Sequence, residues 1–524
     1  MNSTKKLLSI SNLKKYFPVA KTSIFQKEQF YVRANEDITL DIYEGETLGV
    51  VGESGCGKST FGRVLLQLYP QTAGTTMYYG STLADLAPLY VEKTLKELGK
   101  FKAALQKAGA KAAEMDAKVE QAGGKDKADF YLLQQQNLAH CEEQTCRDNI
   151  VKILGGFFAV DEEKGRELLL KEYEANVKRR GAREKRTVAK LDYDAALETG
   201  TGNVSKLKAK LDDAEKELAG CQAACEQATA KLDALRASHA GEPAFDEYEA
   251  LRDDGIDLSR LKYSEMRVFR KDMQIIFQDP YSSLNPRMTV GQIIGEGLLT
   301  HNFFKRRSNK MNQYIVQTMV DCGLQDYMIH RYPHQFSGGQ RQRIAIARAL
   351  AVRPKFIVCD ECVSALDVSI QSQIINLLQE LKEKQKLTYM FISHDLSVVK
   401  YISDRICVMY LGNVVELADK DAVFNDPRHP YTVALLSSIP TTDPDSATKE
   451  RIILEGNIPS PINPPSGCKF HTRCFMATEE CKRVTPALAE VAPGHYCACH
   501  YPERKLGENG EYLIDIKTVS NQGK

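Results

Sequence analysis

A glycine-rich turn between an apolar strand and a helix constrains this chain more than any other stretch. Within TLGVVGESGCGKST, residues 47–60, the apolar start predicts a buried strand. Gly52 and Gly57 then enclose four residues and are followed by Lys58 and Ser59. Such glycines let backbone N–H groups wrap phosphates at the N-terminal end of a helix. The pattern predicts that Lys58 contacts the β- and γ-phosphates and that Ser59 binds Mg²⁺, the alternative being a chance glycine-rich turn.

A second apolar run ends in two carboxylates. The segment FIVCDE, residues 356–361, places Asp360 and Glu361 after a predicted buried strand. A carboxylate such as Asp360 suits the outer coordination shell of Mg²⁺ in a phosphate-loop ATPase. Glu361 suits general-base work on the attacking water. On its own, the pattern also fits a buried strand that ends at a solvated acidic turn.

Three further segments place polar residues at the ends of apolar ones. Gln278 follows IIF, and His394 follows YMFIS. Ser337, Gly338, Gly339 and Gln340 open an amphipathic helix in QFSGGQRQRIAIARAL, residues 335–350. Taken singly, these residues also fit a surface glutamine, a core histidine and a helix cap. Their order along the chain carries more information than any one of them.

In that order, the motifs resemble those of the ATP-binding subunits of ABC transporters. Gln278 matches the Q-loop, His394 the switch histidine, and Asp360 with Glu361 the Walker B pair. Ser337 to Gln340 match the signature, and Asp367 closes the D-loop SALD, residues 364–367. The Walker A match comprises Gly52, Glu53, Ser54, Gly55, Cys56, Gly57, Lys58, Ser59 and Thr60. One departure is Cys362, where the family usually has proline.

The resemblance implies a role for each matched residue. Glu361 and His394 would be catalytic, and Ser59, Gln278 and Asp360 would hold or sense Mg²⁺. The signature would complete the ATP site of a second subunit, so that two subunits enclose two ATP molecules. An aromatic side chain is also expected to stack on adenine, and Phe17 is the best candidate, with Tyr16 beside it.

The predicted fold class is α/β: a phosphate-loop ABC ATPase with a RecA-like core, an antiparallel β subdomain and a helical subdomain. To this the sequence adds an inserted α-helical coiled-coil arm and a Cys-rich C-terminal extension. The predicted divisions are 1–80 and 255–420 for the ATPase core, 81–254 for the arm, 421–465 for a linker extension, 466–501 for the Cys-rich motif and 502–524 for a tail.

Finer resemblance indicates the oligopeptide, dipeptide and nickel importer branch. It rests on QDPYSSLNPRMTVGQII (278–294), on MYLGNVVELADKDAVFNDPRHPYTVALLSSIP (409–440) and on the cysteine-bearing tail. Within the first two segments, SSLNPRMTVGQII and NDPRHPYT look more like the second of the two ATPase subunits of that branch. The implied partners are a different ATPase subunit, two transmembrane permease subunits and an extracytoplasmic substrate-binding protein. The implied location is the cytoplasmic face of the cell membrane. Nickel or a sugar as substrate would leave the same sequence pattern.

The composition and the lack of a long apolar run mean that a membrane role would need a membrane-embedded partner. The formal net charge of +1 provides no overall basic field, so nucleic acid is not predicted as a partner. No apolar run reaches the roughly 18 residues needed to cross a bilayer. The start, MNSTKKLLSI, has neither an h-region nor a cleavage site, so no signal peptide is predicted.

The arm is predicted from heptad spacing. Apolar residues recur at intervals of three and four in two stretches, 98–122 and 204–235, which indicates coiled coils. The second series is Val204, Leu207, Leu211, Ala214, Leu218, Cys221, Cys225, Ala228, Leu232 and Leu235. The simplest arrangement pairs the first and last helices antiparallel, with further helices between them. The basic run KRRGAREKR, 178–186, predicts a solvated helix face or contact with anionic lipid or RNA.

The arm also raises a rival interpretation. DNA-repair and chromosome-organising ABC ATPases carry coiled coils within their ATPase domains. In the chromosome-organising type, however, the coiled coil follows the Q-loop, whereas here it precedes Gln278. We therefore favour a transporter, in which the arm binds an unidentified protein or the membrane surface.

The C-terminal segment GCKFHTRCFMATEEC, 467–481, is followed by CACH at 497–500. Its spacing is looser than the usual zinc knuckle, and Cys₄ ligation of an iron–sulfur cluster is the other standard use. The importer resemblance implies Cys468, Cys474, Cys481 and Cys499 as ligands of a [4Fe-4S] cluster. Zinc or free thiols remain alternatives, and Cys497 is an extra candidate. A proline-rich linker at 458–467 predicts that this segment stands apart from the ATP site.

Overall fold

The computed structural model describes residues 5–20, 30–124, 128, 130–200, 202–438, 452, 454 and 456–503. The strands are β1 (Lys6–Pro18), β2 (Tyr31–Tyr43), β3 (Thr47–Val51), β4 (Ala73–Tyr78), β5 (Ile256–Asp257), β6 (Met273–Ile276), β7 (Phe356–Asp360), β8 (Thr388–Ile392), β9 (Arg405–Tyr410), β10 (Asn413–Asp419), β11 (Ala489–Ala492) and β12 (His495–Cys497).

The α-helices are α1 (Lys58–Leu65), α2 (Leu83–Leu86), α3 (Leu89–Lys96), α4 (Leu98–Gln121), α5 (Phe130–Leu154), α6 (Glu162–Thr199), α7 (Val204–His239), α8 (Pro243–Glu249), α9 (Tyr263–Phe269), α10 (Pro280–Ser283), α11 (Val290–Thr300), α12 (Asn309–Asp321), α13 (Gly338–Leu350), α14 (Val368–Gln385), α15 (Leu396–Ile402), α16 (Lys420–Asn425), α17 (Pro430–Ser437) and α18 (Glu479–Arg483). Short 3₁₀ helices cover Gly155–Phe158, Leu258–Arg260, Asp326–His330, Pro333–Gln335 and His471–Arg473. The chain divides into two units, one of residues 1–74, 271–294 and 315–524 and one of residues 75–270 and 295–314.

A mixed sheet forms the centre of the first unit. Its strand order is β11-β12-β10-β9-β3-β8-β7-β6. The five strands from β9 to β6 are parallel, whereas β10, β12 and β11 pair antiparallel. Every residue of β3, β7 and β8 is buried, as expected for parallel strands covered on both faces. The residues that follow β3, β6, β7 and β8 therefore emerge at one edge, where α/β sheets bind ligands.

The second unit is mainly helical, and two helical hairpins dominate it. Helix α4 packs against α5, and α6 packs against α7. Lys185 of α6 forms an ion pair with Glu217 of α7 at 2.7 Å. Nearer the start of α6, Glu172 accepts a hydrogen bond at 2.7 Å from Thr229, which lies nearer the end of α7. Residue numbers rise on one helix as they fall on the other, so α6 and α7 are antiparallel. The predicted pairing of the first and last helices is wrong, because each long helix packs against its neighbour in sequence.

The heptad spacing does identify the inward face of α7. All ten residues of the predicted apolar series are buried or half-buried, and most other positions of the helix are exposed. Leu232 and Leu235 join a core at the base of the hairpins. Other members of that core are Leu95, Leu98, Ile150, Leu154, Phe157, Leu169, Tyr173 and Phe245. Periodicity thus predicted which residues are covered, but not which helix covers them.

The basic run of α6 has an internal structural role. Arg179 donates to the carbonyl of Ala84 at 2.8 Å, and Arg180 donates to the carbonyl of Leu86. Arg183 lies 3.3 Å from a carboxylate oxygen of Asp85. Cations stabilise the unsatisfied carbonyls at a helix C-terminus, and α2 is only one turn long. Arg179 and Arg180 therefore hold α2 in place, whereas Lys178 and Lys185 of the same run are exposed, in agreement with the predicted solvated face.

Candidate functional site

The predicted strand, glycine loop and helix are all present at residues 47–65. Strand β3 ends at Val51, and α1 begins at Lys58. The Lys58 side chain is buried, and its Nζ donates to the carbonyls of Gly52 at 2.7 Å and Glu53 at 3.1 Å. The ammonium group of Lys58 is therefore held inside the loop, at the position from which the sequence predicts phosphate contact.

The proposed Mg²⁺ ligands are in contact. The Oγ atom of Ser59 lies 2.5 Å from Oδ1 of Asp360, although 301 positions separate the two residues. The other carboxylate oxygen of Asp360 accepts from Arg63 at 3.2 Å. A hydroxyl and a carboxylate oxygen at one point are ligands of the kind that Mg²⁺ takes in phosphate-loop enzymes. The donor set therefore fits the ion that the sequence implied.

Glu361 is the centre of a polar cluster at the same edge of the sheet. Its Oε2 accepts from Nε2 of Gln278 at 2.9 Å and lies 3.6 Å from Nδ1 of His394. Ser364 donates to the carbonyl of Glu361 at 2.9 Å. The backbone of Glu361 is in the left-handed region, with φ of 49°. Non-glycine residues in this conformation are uncommon and cluster at active sites. Strands β6, β7 and β8 thus bring together three residues that were predicted separately.

The two aromatic candidates for adenine stacking differ in their surroundings. The Tyr16 ring is buried, and its hydroxyl contacts the carboxylate of Glu36. Phe17 is half-exposed and packs edge-on against Tyr69, with 5.5 Å between the ring centroids. Lys15 lies over the Phe17 ring at 4.6 Å. Because Tyr16 is directed inward, Phe17 is the better placed of the two for a ligand.

The signature and D-loop residues cap their own helices. Ser337 accepts from the backbone N–H of Gln340 at 3.4 Å, and the Gln340 side chain accepts from the N–H of Ser337 at 3.2 Å. Asp367 caps α14 by accepting from Ile370 at 3.0 Å. In the described part of the chain, no hydrogen bond joins Ser337, Gly338, Gly339 or Gln340 to the phosphate loop. Ser337 and Gln340 are therefore positioned by the capping of their own helix.

The four predicted cysteine ligands line one cavity in the Cys-rich segment. Cys468, Cys474, Cys481 and Cys499 face it together with Phe470 and Met476. Cys497 instead lies on β12, opposite Glu416 of β10, and is buried. Burial, together with neighbouring thiols, raises the pKa of Cys474 to about 12 and that of Cys499 to about 11. A bound cation would offset that cost, because metal ligation deprotonates a thiol.

The geometry is less suited to a single ion. Over the ranges that the structure describes, no three His, Cys, Asp or Glu side chains are arranged to hold one metal ion. Zinc requires four ligands that converge within about 2.3 Å of one centre. A [4Fe-4S] cluster binds each thiolate at a different iron and therefore takes thiolates that lie further apart. In the described ranges the four thiols thus share one cavity without the convergence that a single zinc ion needs.

The Cys-rich segment contacts the phosphate loop, so the prediction that it stands apart from the ATP site is wrong. Arg473 donates to both carboxylate oxygens of Glu53, at 2.8 Å and 3.0 Å. Tyr431 of α17 accepts from the backbone N–H of Glu53 at 2.8 Å. Sequence reasoning missed both residues, because no local motif signals a contact across about 400 positions.

Acid should destabilise α17 through His429. This residue is buried, and its Nδ1 accepts from the N–H of Tyr431 at 3.1 Å. Burial lowers the pKa of His429 from 6.5 to about 4. The unfolded chain therefore binds the proton more readily, and stability is lost as pH falls from 6.5 toward 4. We expect the free energy of unfolding to fall by about 1 kcal/mol more between pH 7.5 and 5.5 in the wild type than in His429→Asn.

Denaturant unfolding of both proteins at the two pH values checks this expectation. Asparagine keeps an oxygen that can cap α17 but does not titrate. All other titrating groups are common to both proteins and cancel in the difference. An equal pH dependence in the two proteins would contradict the assignment to His429.

A phosphate loop, a buried carboxylate beside its serine and a glutamate held at the same sheet edge define an ATP-hydrolysing enzyme of the phosphate-loop class. The ABC transporter family pattern matches residues 35–186 and 243–364, and the chain belongs to that family as an ABC-type ATPase. A second pattern, the oligopeptide/dipeptide transporter C-terminal region, matches residues 415–481.

Curated relatives are similar over about half of this chain. The oligopeptide transport ATP-binding protein AppF of Bacillus subtilis is 53% identical over 248 residues, which are 47% of this chain and 75% of the relative. The oligopeptide transport ATP-binding protein OppF of Salmonella typhimurium is 54% identical over 246 residues, 47% of this chain and 73% of the relative. A putative peptide import ATP-binding protein of Brucella ovis is 54% identical over 47% of this chain and 77% of its own length.

Among solved structures, the ATP-binding cassette MJ0796 bound to ADP and Pi is similar, with a TM-score of 0.41 and 16% identity over 79% of this chain and 99% of that one. In the part of this chain that the structure describes, no helix is long and apolar enough to cross a membrane.

Proposed function

We propose that this chain is an energy-supplying subunit of an importer for oligopeptides or dipeptides. The observation that carries the proposal is the combination of the ABC ATPase match with the oligopeptide/dipeptide C-terminal match at 415–481. The names of the relatives, which are peptide transport ATP-binding proteins, support the same substrate class. Transport requires two permease subunits, which cross the membrane, and an extracytoplasmic binding protein, which delivers the peptide. The chain would then act at the cytoplasmic face of the membrane.

The catalytic roles follow from the contacts at the sheet edge. Lys58 and the loop N–H groups would hold the phosphates, and Ser59 and Asp360 would hold Mg²⁺, which would supply neutralisation of the phosphate charge. Glu361 accepts the proton of the attacking water, and His394 and Gln278 orient that carboxylate and the water. Phe17 stacks on adenine. Ser337 to Gln340 and Asp367 act in the site of a second ATPase subunit, a different chain, so that closure depends on ATP bound between the two.

Purification of the intact complex from its native membrane tests the proposal. We expect a second ATPase subunit and two permeases to copurify, and ATP hydrolysis in liposomes to rise when a peptide-loaded binding protein is added. Stimulation by nickel or an oligosaccharide would overturn the peptide assignment while keeping the importer. Stimulation of the isolated chain by DNA, without permeases, would overturn the importer itself.

The Cys-rich segment is proposed to hold a [4Fe-4S] cluster. The common cavity of Cys468, Cys474, Cys481 and Cys499 supports this ligand set over one that includes Cys497. When bound, the cluster would brace a segment too small to have a large core of its own. Anaerobic purification should yield about four irons per chain and charge-transfer absorption, both lost in Cys474→Ser but kept in Cys497→Ser. Stoichiometric zinc, or no metal, would refute the cluster.

Residues 81–254 are proposed to be an inserted coiled-coil arm that binds another protein or the membrane surface. The supporting observations are the antiparallel packing of α6 on α7 and the burial of the predicted apolar series. Deletion of 81–254 should leave ATP binding intact and remove a component from the purified complex, or its attachment to membranes. Unchanged complex composition and unchanged transport would contradict a binding role.

A further inference from the structure

We propose that Arg473 is a positioning residue for ATP binding, through which the Cys-rich segment holds the phosphate loop in its binding conformation. The proposal rests on the ATPase assignment alone and is independent of the transported substrate and of the metal.

The contact itself is a two-point ion pair. Nη1 and Nη2 of Arg473 reach the two carboxylate oxygens of Glu53 at 2.8 Å and 3.0 Å. The Arg473 side chain is only 6% exposed and that of Glu53 24%, so water screens this pair far less than a surface pair. Two parallel N–H···O bonds fix orientation as well as distance. The second residue of the phosphate loop is thus held by its side chain.

The backbone of Glu53 is also held, by a residue that packs against the Cys-rich segment. Its N–H donates to the Tyr431 hydroxyl at 2.8 Å, and its carbonyl accepts from Lys58 at 3.1 Å. The Tyr431 ring packs on Phe470, with 5.4 Å between the ring centroids. Phe470 is buried and lies three residues before Arg473. The Cys-rich segment therefore supports the side chain of Glu53 directly through Arg473 and its main chain indirectly, through the packing of Phe470 on Tyr431.

A second contact ties the same segment to the far side of the loop. Lys469 donates to the carbonyl of Leu411 at 3.1 Å. The next residue, Gly412, donates its N–H to the carbonyl of Cys56 in the phosphate loop at 2.9 Å. The Cys-rich segment thus reaches the loop near both ends, directly at Glu53 and through the Leu411–Gly412 peptide group at Cys56.

The charge of Glu53 explains why the ion pair should affect the affinity for ATP more than it affects the stability of the fold. Glu53 is an anion in a loop that must accept a polyphosphate. Arg473 neutralises it and keeps it turned away from the loop interior, where Lys58 lies. Without the guanidinium, an unpaired carboxylate stands beside the phosphate site, repels the ligand and frees the loop. The loss should appear in the affinity for ATP, with the chemical step largely retained.

The test measures equilibrium binding of trinitrophenyl-ATP with Mg²⁺, together with the turnover number, in full-length variants. Arg473→Ala should raise the Kd about tenfold and change kcat by no more than about twofold. Arg473→Lys, which keeps the charge but loses the two-point geometry, should recover part of the affinity. Lys482→Ala is the control, because it removes an exposed ion pair with Glu479 in the same segment. Its Kd should be unchanged.

The double variant Glu53→Gln/Arg473→Ala tests whether Arg473 affects ATP binding through Glu53. If Arg473 acts through Glu53, the second substitution adds little to the Kd of Glu53→Gln alone. Additive effects would overturn the proposal, as would an unchanged Kd in Arg473→Ala. A rise in Kd that comes with a fall in both kcat and the melting temperature would assign Arg473 a merely structural role. If Arg473→Ala does not fold, the same double-mutant cycle can be measured with Arg473→Lys in its place, alone and combined with Glu53→Gln.

Discussion

Replacing Glu361 by glutamine should lower the turnover number for ATP by about a hundredfold or more, while ATP remains bound. The two side chains have the same shape, so the hydrogen bond from Gln278, 2.9 Å in the wild type, can persist. What is lost is the carboxylate that we propose accepts a proton from water. The variant should therefore accumulate in the ATP-bound state, because release depends on hydrolysis.

The surroundings of Glu361 explain why this carboxylate, and not Asp360, should be the base. Asp360 is buried, and Ser59 and Arg63 occupy its oxygens. Glu361 is more open and lies beside His394, at 3.6 Å, in a strained backbone conformation that glutamine retains. The oxygens of Asp360 are thus engaged by Ser59 and Arg63, whereas Glu361 is the more accessible of the two carboxylates.

Steady-state hydrolysis and equilibrium ATP binding check this prediction. Glu380→Gln is the matched control, because Glu380 is an exposed glutamate on α14 that pairs with Lys384. The control should hydrolyse ATP at the wild-type rate. A turnover number for Glu361→Gln above a tenth of the wild-type value would show that another residue acts as base, and His394→Ala would then be the next variant to measure.

The core of the site was predictable because each motif combines a strand with the residues just beyond it. Gln278, Asp360, Glu361 and His394 each follow a short apolar run, and parallel strands deliver such residues to one edge. The phosphate loop was predictable for a related reason, since its glycines and lysine lie close together in the sequence. In these cases, local pattern and sheet topology together determine which residues meet.

Long-range contacts outside the sheet were not predictable in the same way. The apolar series of α7 has the same spacing whichever helix covers it, so periodicity could not choose α6 over α4. Arg473 and Glu53 are single charged residues in segments far apart in the chain, and nothing in either segment marks the other as its partner. The arginines of α6 were equally unpredictable, because a run of positive charge in the sequence does not indicate which carbonyls its side chains contact.

The second large effect is expected at Gly57, where alanine should abolish measurable ATP binding. Gly57 precedes α1 with φ of 101°, a conformation that side chains rarely adopt. A Cβ atom there would lie 2.0 Å from the carbonyl oxygen of Ala34, which belongs to the backbone of β2 and cannot turn aside as a side chain could. The loop must therefore move, and with it the N–H groups that would face the phosphates.

Gly55→Ala provides the comparison that separates strain from collision. Gly55 also has a positive φ, 81°, but a Cβ atom there would have nothing within 4 Å. Its substitution should cost about 1 kcal/mol of stability from backbone strain and weaken ATP binding only moderately. Gly57→Ala should cost several times more, about 3 kcal/mol or above, because the collision adds to the strain. Thermal unfolding and ATP binding of both variants measure the difference. Equal losses in the two variants would mean that the close approach of β2 does not set the position of the phosphate loop.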